Sequence, residues 1–334
     1  MKFAVVGTGA IGGYLGGWLA AAGEDVTFIA RGATLDAVTR HGIRVIGEDG
    51  TETVATGRAV GRPADAGAQD VVLLAVKAHQ VAAIAPELTR LFHDQTTVVT
   101  LQNGIPWWYF HKHGGPYEGQ VLTSVDPGGR IAQHLLPTRI LGAVVYPAAV
   151  REQPGVVRVV EGKRFSLGEP DGSDSPRAQR ISEALTRAGF KAPVVRDIRA
   201  EIWVKLWGNL SMNPISALTH STLSELLAYP LTRTLCIRMM EEAETVAGAL
   251  GITFRVGIDK RIAGAEKVGA HKTSMLQDVE AGKPIELEAL VGSVVELARL
   301  TGTPTPHIDA VYACSSLLGR TLTEHQATLS IHRS

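Results

Sequence analysis

The chain has 334 residues, with 33 basic and 33 acidic side chains, 45% hydrophobic residues and 20% charged ones. That composition suits an ordinary globular protein, and a net charge of zero leaves no bulk field to attract nucleic acid or an anionic membrane. Two cysteines, Cys236 and Cys314, form neither a disulfide framework nor a CxxC metal clip, and their apolar surroundings predict buried thiols in a reducing compartment.

The first half alternates strand and helix signals. "FAVVG" (3–7) is a short apolar run ending in glycine, too short for a signal core, and a helical pattern follows over 10–23. "DVTFIA" (25–30) reads as a second strand, followed by a helix near 33–41 and the strand "IRVIG" (43–47). "DVVLLAV" (70–76) is continuously apolar, as for a strand covered on both faces; a helix near 78–92 and the strand "TVVTL" (97–101) come next. This alternation predicts a mostly parallel sheet with helices on both sides. From 121 to 168 the signals turn β-rich, with Pro154-Gly155 and Gly162-Lys163 as turns, and predict antiparallel additions to that sheet. A helix is expected near 177–188. After "APVVRD" (192–197) strand signals nearly vanish, and 197–325 reads as helices broken by Pro214, Pro230, Pro284 and "TGTPTP". The expected organisation is therefore an α/β domain over 1–195 and an all-helical domain over 196–334. No run reaches the ~18 apolar residues of a spanning helix, so a cytoplasmic protein is expected.

"GTGAIGG" (7–13) sits between a strand and a helix, the context in which GxGxxG signals a dinucleotide site. Gly7 permits the tight turn, Gly9 lets backbone approach a pyrophosphate, and Gly12 lets the helix pack on the strand. Thr8, Ala10 and Ile11 complete the loop, and the helix N-terminus offers N–H donors to phosphate. Gly13, Gly16 and Gly17 predict close packing of another element on the same helix. An NAD site usually ends its second strand with an acid; here "FIARG" places Arg31, whose fork suits a 2′-phosphate, so NADP(H) is expected. Lys77 in "VKAHQ" and Asn103 in "LQNG" follow strand ends, where ligands of open α/β sheets bind.

In "KLWGNLSMN" (205–213), Lys205, Asn209 and Asn213 fall four residues apart on one helical stripe. Flanking Trp203, Leu206, Trp207, Leu210 and Met212 make a solvated face too narrow, which points to a buried polar site. An ammonium lowered in pKa by burial can protonate a carbonyl oxygen as hydride arrives, and the amides supply oriented dipoles without charge. Ser274 precedes a predicted helix over 275–282 as its N-cap, a seat for a carboxylate. Glu286 reads on its own as an exposed charge, one that could also neutralise Lys205 or accept a substrate hydroxyl. His111 and His113 lack acidic or cysteine partners, so no metal is expected.

With "WVKLWGNLSMNPISAL" and "KTSMLQDVEAGKPIELEAL", these motifs resemble the ketopantoate reductase family over nearly the whole chain. The resemblance implies an N-terminal Rossmann-type domain, a helical C-terminal domain and an active site in the cleft between them. It also implies NADPH-dependent reduction of a 2-oxo acid, ketopantoate leading. By the same resemblance Lys205 is the catalytic acid, and Asn209 and Asn213 line the substrate site. Asn103 touches both cofactor and substrate, Ser274 holds the substrate carboxylate, and Glu286 lies near substrate and nicotinamide ribose. A homodimer through the helical domain follows from the resemblance alone. The segment 105–129 departs from the family's usual connection and groups Trp107, Trp108, Tyr109 and Phe110. That cluster either shapes or covers the substrate pocket, or packs against the sheet edge or a partner. The alternatives are therefore a different branched or aromatic 2-oxo acid as substrate, or a non-catalytic NADP(H)-sensing protein.

Overall fold

Lys2–Val6 forms β1, buried at every position but the first, and leads into α1 (Ala10–Ala21). There follow β2 (Asp25–Ile29), α2 (Gly32–His41), β3 (Ile43–Ile46), β4 (Glu52–Ala55), β5 (Arg58–Val60), β6 (Val71–Leu74), α3 (Ala78–Leu88) and β7 (Thr97–Thr100). α4 (Arg130–His134), β8 (Ile140–Val145), β9 (Ala148–Gln153), β10 (Val156–Glu161), β11 (Phe165–Gly168) and α5 (Pro176–Arg187) complete the α/β part. The computed structural model describes residues 1–329. The chain divides into two compact units, one of 1–102, 106–121 and 126–201, the other of 103–105, 122–125 and 202 onward.

In the first unit a seven-stranded sheet has the order β11-β8-β7-β6-β1-β2-β5. Every pairing is parallel except that of β11 with β8. The strand order reverses direction at β1, the switch point where a doubly wound sheet opens a crevice for a ligand. Two expectations change here. β3 leaves this sheet for a second one, ordered β4-β3-β10-β9, and β8 joins the main sheet parallel rather than antiparallel. The glycines of α1 give the reason for the first change. A Cβ at Gly16 would lie 2.5 Å from Phe28, whereas one at Gly13 would lie 2.8 Å from Val157 and one at Gly17 2.7 Å from Val45. The helix is therefore clasped between both sheets, which needs bare backbone on two of its faces.

Trp107, Trp108, Tyr109 and Phe110 are all buried in the first unit. Trp108 Nε1 donates to Thr100 Oγ1 at 3.1 Å, and its ring lies against Gly142 of β8. Arg199 donates to the Tyr109 carbonyl at 2.8 Å and stacks over its ring. Trp108 packs on the sheet, and Tyr109 and Phe110 pack against each other and against His113.

The second unit is helical: α6 (Ile198–Thr219, which the division cuts after Glu201), α7 (Leu223–Ala228), α8 (Pro230–Ala249), α9 (Ile258–Val268), α10 (Ser274–Glu280), a π-helical turn (Glu288–Gly292), α11 (Ser293–Thr301) and α12 (Pro306–Glu324). Pro230 and Pro306 open α8 and α12, where the missing N–H has no intrahelical partner to lose. Among the described residues no helix is long and apolar enough to cross a membrane. Cys236 is buried, its thiol pushed up to about 12 by desolvation; Cys314 is exposed on α12, contrary to the expectation that both thiols are buried. Its neighbours in sequence supply apolar character, but the helix turns that position outward.

Candidate active site

The β1–α1 turn behaves as the GxGxxG spacing requires. Gly7 has φ +96°, and a Cβ there would meet Val76 at 2.8 Å. A Cβ at Gly12 would fall 2.1 Å from the Gly7 carbonyl oxygen, so only glycine lets α1 start this close to the turn. A Cβ at Gly9, by contrast, would meet nothing within 4 Å: that backbone faces open space beside a helix N-terminus. Thr8 Oγ1 donates to the Ile29 carbonyl at 3.3 Å and ties the loop to the end of β2.

This turn forms one wall of a cleft of about 680 Å³ within the first unit. Arg31 and Thr34 line it from the start of α2, Val76 from the β6–α3 connection, and His79 and Gln80 from the first turn of α3. Lys77, at the N-cap of α3, is half-buried between lining neighbours and is not itself part of the lining. Gln80 Oε1 accepts from the Lys77 N–H at 3.1 Å, which fixes the helix start. Gln102 spans the adjacent strand ends, its Nε2 donating to Leu74 at 2.7 Å and Val76 at 2.9 Å. A second cation lines the cleft, and no motif announces it: Arg151 of β9, with Nη1 donating to Thr34 Oγ1 at 3.4 Å. It lies 120 residues from Arg31, and only the second sheet brings it there. The open approach at Gly9, the helix N-terminus and the two guanidinium groups fit a dinucleotide phosphate chain carrying an extra phosphate.

In the second unit the polar stripe of α6 lies in a buried setting. Trp203, Leu206, Trp207 and Leu210 are all 1% exposed or less, so most of the helix circumference is core. Lys205 is half-buried, and its Nζ donates to Asn103 Oδ1 at 2.5 Å. Desolvation lowers its pKa from 10.5 to about 8; the Glu286 carboxylate opposes that shift and the Arg261 cation adds to it. Asn213 is 6% exposed and Asn209 half-buried, and neither side-chain amide hydrogen-bonds a protein group among the described residues. Unsatisfied amides in such a place are set for a ligand.

Asn103 reaches Lys205 through a short graft. Residues 103–105 belong to the second unit, where the Ile105 N–H donates to the Ala289 carbonyl at 2.9 Å. Gly104 has φ +89°, and a Cβ there would fall 2.1 Å from that same carbonyl oxygen. Ala289 lies in the π-helical turn, three residues after Glu286. Such turns misalign the helical ladder and free a carbonyl for outside donors. The loop-plus-turn pair thus brings Asn103, Lys205 and Glu286 together.

Ser274 stands differently from its expected role as an N-cap. Thr273, 4% exposed, is the N-cap of α10 and accepts from the Leu276 N–H at 3.2 Å; Ser274 is the first helical residue and is exposed. Both residues are cap formers, and burial chose the first.

Known proteins resemble this chain over nearly its whole length. The family profile "Ketopantoate reductase PanE/ApbA" matches residues 3–110, and "Ketopantoate reductase PanE/ApbA C terminal" matches 197–318. The chain is similar to a 2-dehydropantoate 2-reductase of Mesorhizobium japonicum, 54% identical over 94% of this chain and 96% of that protein. A homologue named 2-dehydropantoate 2-reductase from Archaeoglobus fulgidus is 30% identical over 87% and 89%. Among solved structures, a putative ketopantoate reductase from Ralstonia solanacearum superposes with a TM-score of 0.91 at 41% identity, covering 96% of this chain and 98% of that one. A D-mandelate dehydrogenase solved with NADH and anilino(oxo)acetate shares the fold, with a TM-score of 0.81 at 21% identity over 97% and 99%.

Proposed function

This chain belongs to the ketopantoate reductase family, and from that premise we propose that it is a cytoplasmic NADPH-dependent reductase of a 2-oxo acid, ketopantoate above all. The observation that carries the reading is the buried ammonium of Lys205, lowered toward neutrality and held by Asn103.

When bound, the reduced nicotinamide supplies hydride to the ketone carbon. Gly7, Thr8, Gly9, Ala10, Ile11 and Gly12 seat the pyrophosphate on backbone N–H groups at the start of α1. Arg31 and Arg151 hold the 2′-phosphate that distinguishes NADPH from NADH, and Lys77 adds a cation at the end of β6. Lys205 donates its proton to the carbonyl oxygen as negative charge develops there. A pKa near 8 keeps that ammonium protonated at neutral pH yet acidic enough to give the proton up. Asn103 fixes the direction of the ammonium, Asn209 and Asn213 offer amide groups to the substrate's polar atoms, and Glu286 keeps Lys205 charged until the transfer. The roles divide between a cofactor-binding unit and a helical substrate-binding unit. The aromatic cluster at 107–110 is buried, with Trp108 packed on β7 and β8, which supports ketopantoate over an aromatic 2-oxo acid.

The test is turnover of purified protein with NADPH or NADH against ketopantoate and a panel of branched and aryl 2-oxo acids, followed at the nicotinamide absorbance. NADPH oxidation fastest with ketopantoate is expected; cofactor binding without turnover of any oxo acid would defeat the proposal.

A further inference from the structure

Gly208 interrupts α6 three residues after Lys205 and next to Asn209, in a buried helix interior where glycine weakens the helix. Its φ is ordinary, so backbone conformation does not demand it. A close neighbour does. A Cβ at 208 would lie 2.5 Å from Nη2 of Arg261, 3.1 Å from its Cζ and 3.2 Å from its Nε. Three guanidinium atoms within 3.2 Å of that point mean that the group occupies the space a side chain at 208 would take. Arg261 comes from the first turn of α9, and its charge is felt at Lys205.

Two cations at one turn of a buried helix repel each other, and Glu286 is the one carboxylate acting on Lys205 among its named charged neighbours. The trio carries one net positive charge. A 2-oxo acid brings one negative charge, on a carboxylate bonded directly to the carbonyl carbon. Its anionic group must therefore sit within one bond of the atom whose oxygen is protonated. A guanidinium one helical step from the proton donor meets that demand, and its planar fork matches a carboxylate with two parallel hydrogen bonds. We infer that Arg261 is a substrate-binding residue, taking the carboxylate of the 2-oxo acid while Lys205 faces its ketone oxygen, with Gly208 as the opening that admits it. This rests on the reductase reading above, and it gives Arg261 the role that resemblance alone would give to Ser274.

The experiment compares Arg261→Gln, Arg261→Lys and Gly208→Ala with the parent protein. It measures KM and kcat for ketopantoate and for its uncharged methyl ester, NADPH affinity by nicotinamide fluorescence, and thermal unfolding. Loss of charge-assisted bonds to a carboxylate raises KM roughly 10- to 100-fold for the acid in Arg261→Gln. The ester's KM and the NADPH affinity stay near the parent values. Arg261→Lys regains part of the loss because it keeps the charge but not the fork. Gly208→Ala, whose methyl group displaces the guanidinium, follows Arg261→Gln. Parent-like KM for the acid in a folded Arg261→Gln protein, or equal losses for acid and ester, overturns the inference. If the Gln variant is unfolded, the same acid–ester comparison in Arg261→Lys decides. A parent protein that reduces no 2-oxo acid sinks the reductase reading and this inference together, whereas an active parent with an indifferent Arg261 sinks this inference alone.

Discussion

At the scale of single residues, the proposed mechanism concentrates the chemistry in one ammonium. Lys205 drops from 10.5 to about 8 because burial removes water from its charged form, with Glu286 pulling the other way and Arg261 pushing down. As the proposed proton donor it must be charged, so kcat is expected to fall above about pH 8, tenfold per pH unit; a pH–rate profile under saturating cofactor checks this. Lys205→Ala should lower kcat by ~10² to 10⁴ while leaving NADPH affinity intact. The same residue weakens the fold. Between pH 8 and 10.5 the unfolded chain binds a proton that the folded chain does not, so stability rises with pH across that window. Below pH 8 the buried charge is a standing cost. Lys205→Met is therefore expected to be more stable near neutral pH by about 1–2 kcal/mol, after discounting the lost bond to Asn103. Urea unfolding at pH 7 and at pH 10 should show the advantage shrinking at the higher pH.

At the scale of elements, two close approaches place these residues. Gly12 lets α1 begin against the β1 turn, and Gly104 lets Asn103 hang from the π-helical turn through the Ala289 carbonyl. Gly104→Ala adds both a positive-φ penalty of about 1–2 kcal/mol and a clash with backbone that cannot rotate away. It should move Asn103 off Lys205, so kcat falls by far more than cofactor affinity, which the proposal assigns mainly to the other unit. Measuring the two quantities side by side separates a displaced Asn103 from general unfolding. The spacing of Lys205, Asn209 and Asn213 was legible because a helix repeats every 3.6 residues and a polar stripe among tryptophans has few explanations. The π-helical turn was not legible. "PIELEAL" reads as an ordinary helix start, and one extra residue per turn leaves no compositional mark.

At the scale of the whole molecule, the second unit borrows two short pieces from the N-terminal half of the sequence, 103–105 and 122–125. Glu296 of α11 holds the second piece, accepting from the Thr123 and Ser124 N–H groups at 2.7 and 2.8 Å. Each such charge-assisted bond contributes about 1.5–3 kcal/mol. Glu296→Ala is expected to lower the denaturant midpoint by an amount equivalent to at least ~2 kcal/mol, which a urea titration reads directly. On the proposed reading cofactor choice is also a property at this scale, because Arg31 and Arg151 line one cleft only when the second sheet has formed. Arg151→Ala should weaken NADPH binding roughly 10-fold and leave NADH binding little changed.

The sequence by itself determined the alternation of strands and helices, the dinucleotide loop, the arginine after the second strand and the polar stripe of α6. Those are local features, set by period and spacing, which short stretches of chain carry intact. Tertiary structure alone decided that β3 pairs with β10 and that Arg151 joins Arg31. It also decided that the cap of α10 is Thr273, that the aromatic cluster is buried, and that Arg261 lies on Gly208. Each of these depends on contact between residues far apart in the chain, where burial and steric fit choose among partners that local sequence leaves equivalent.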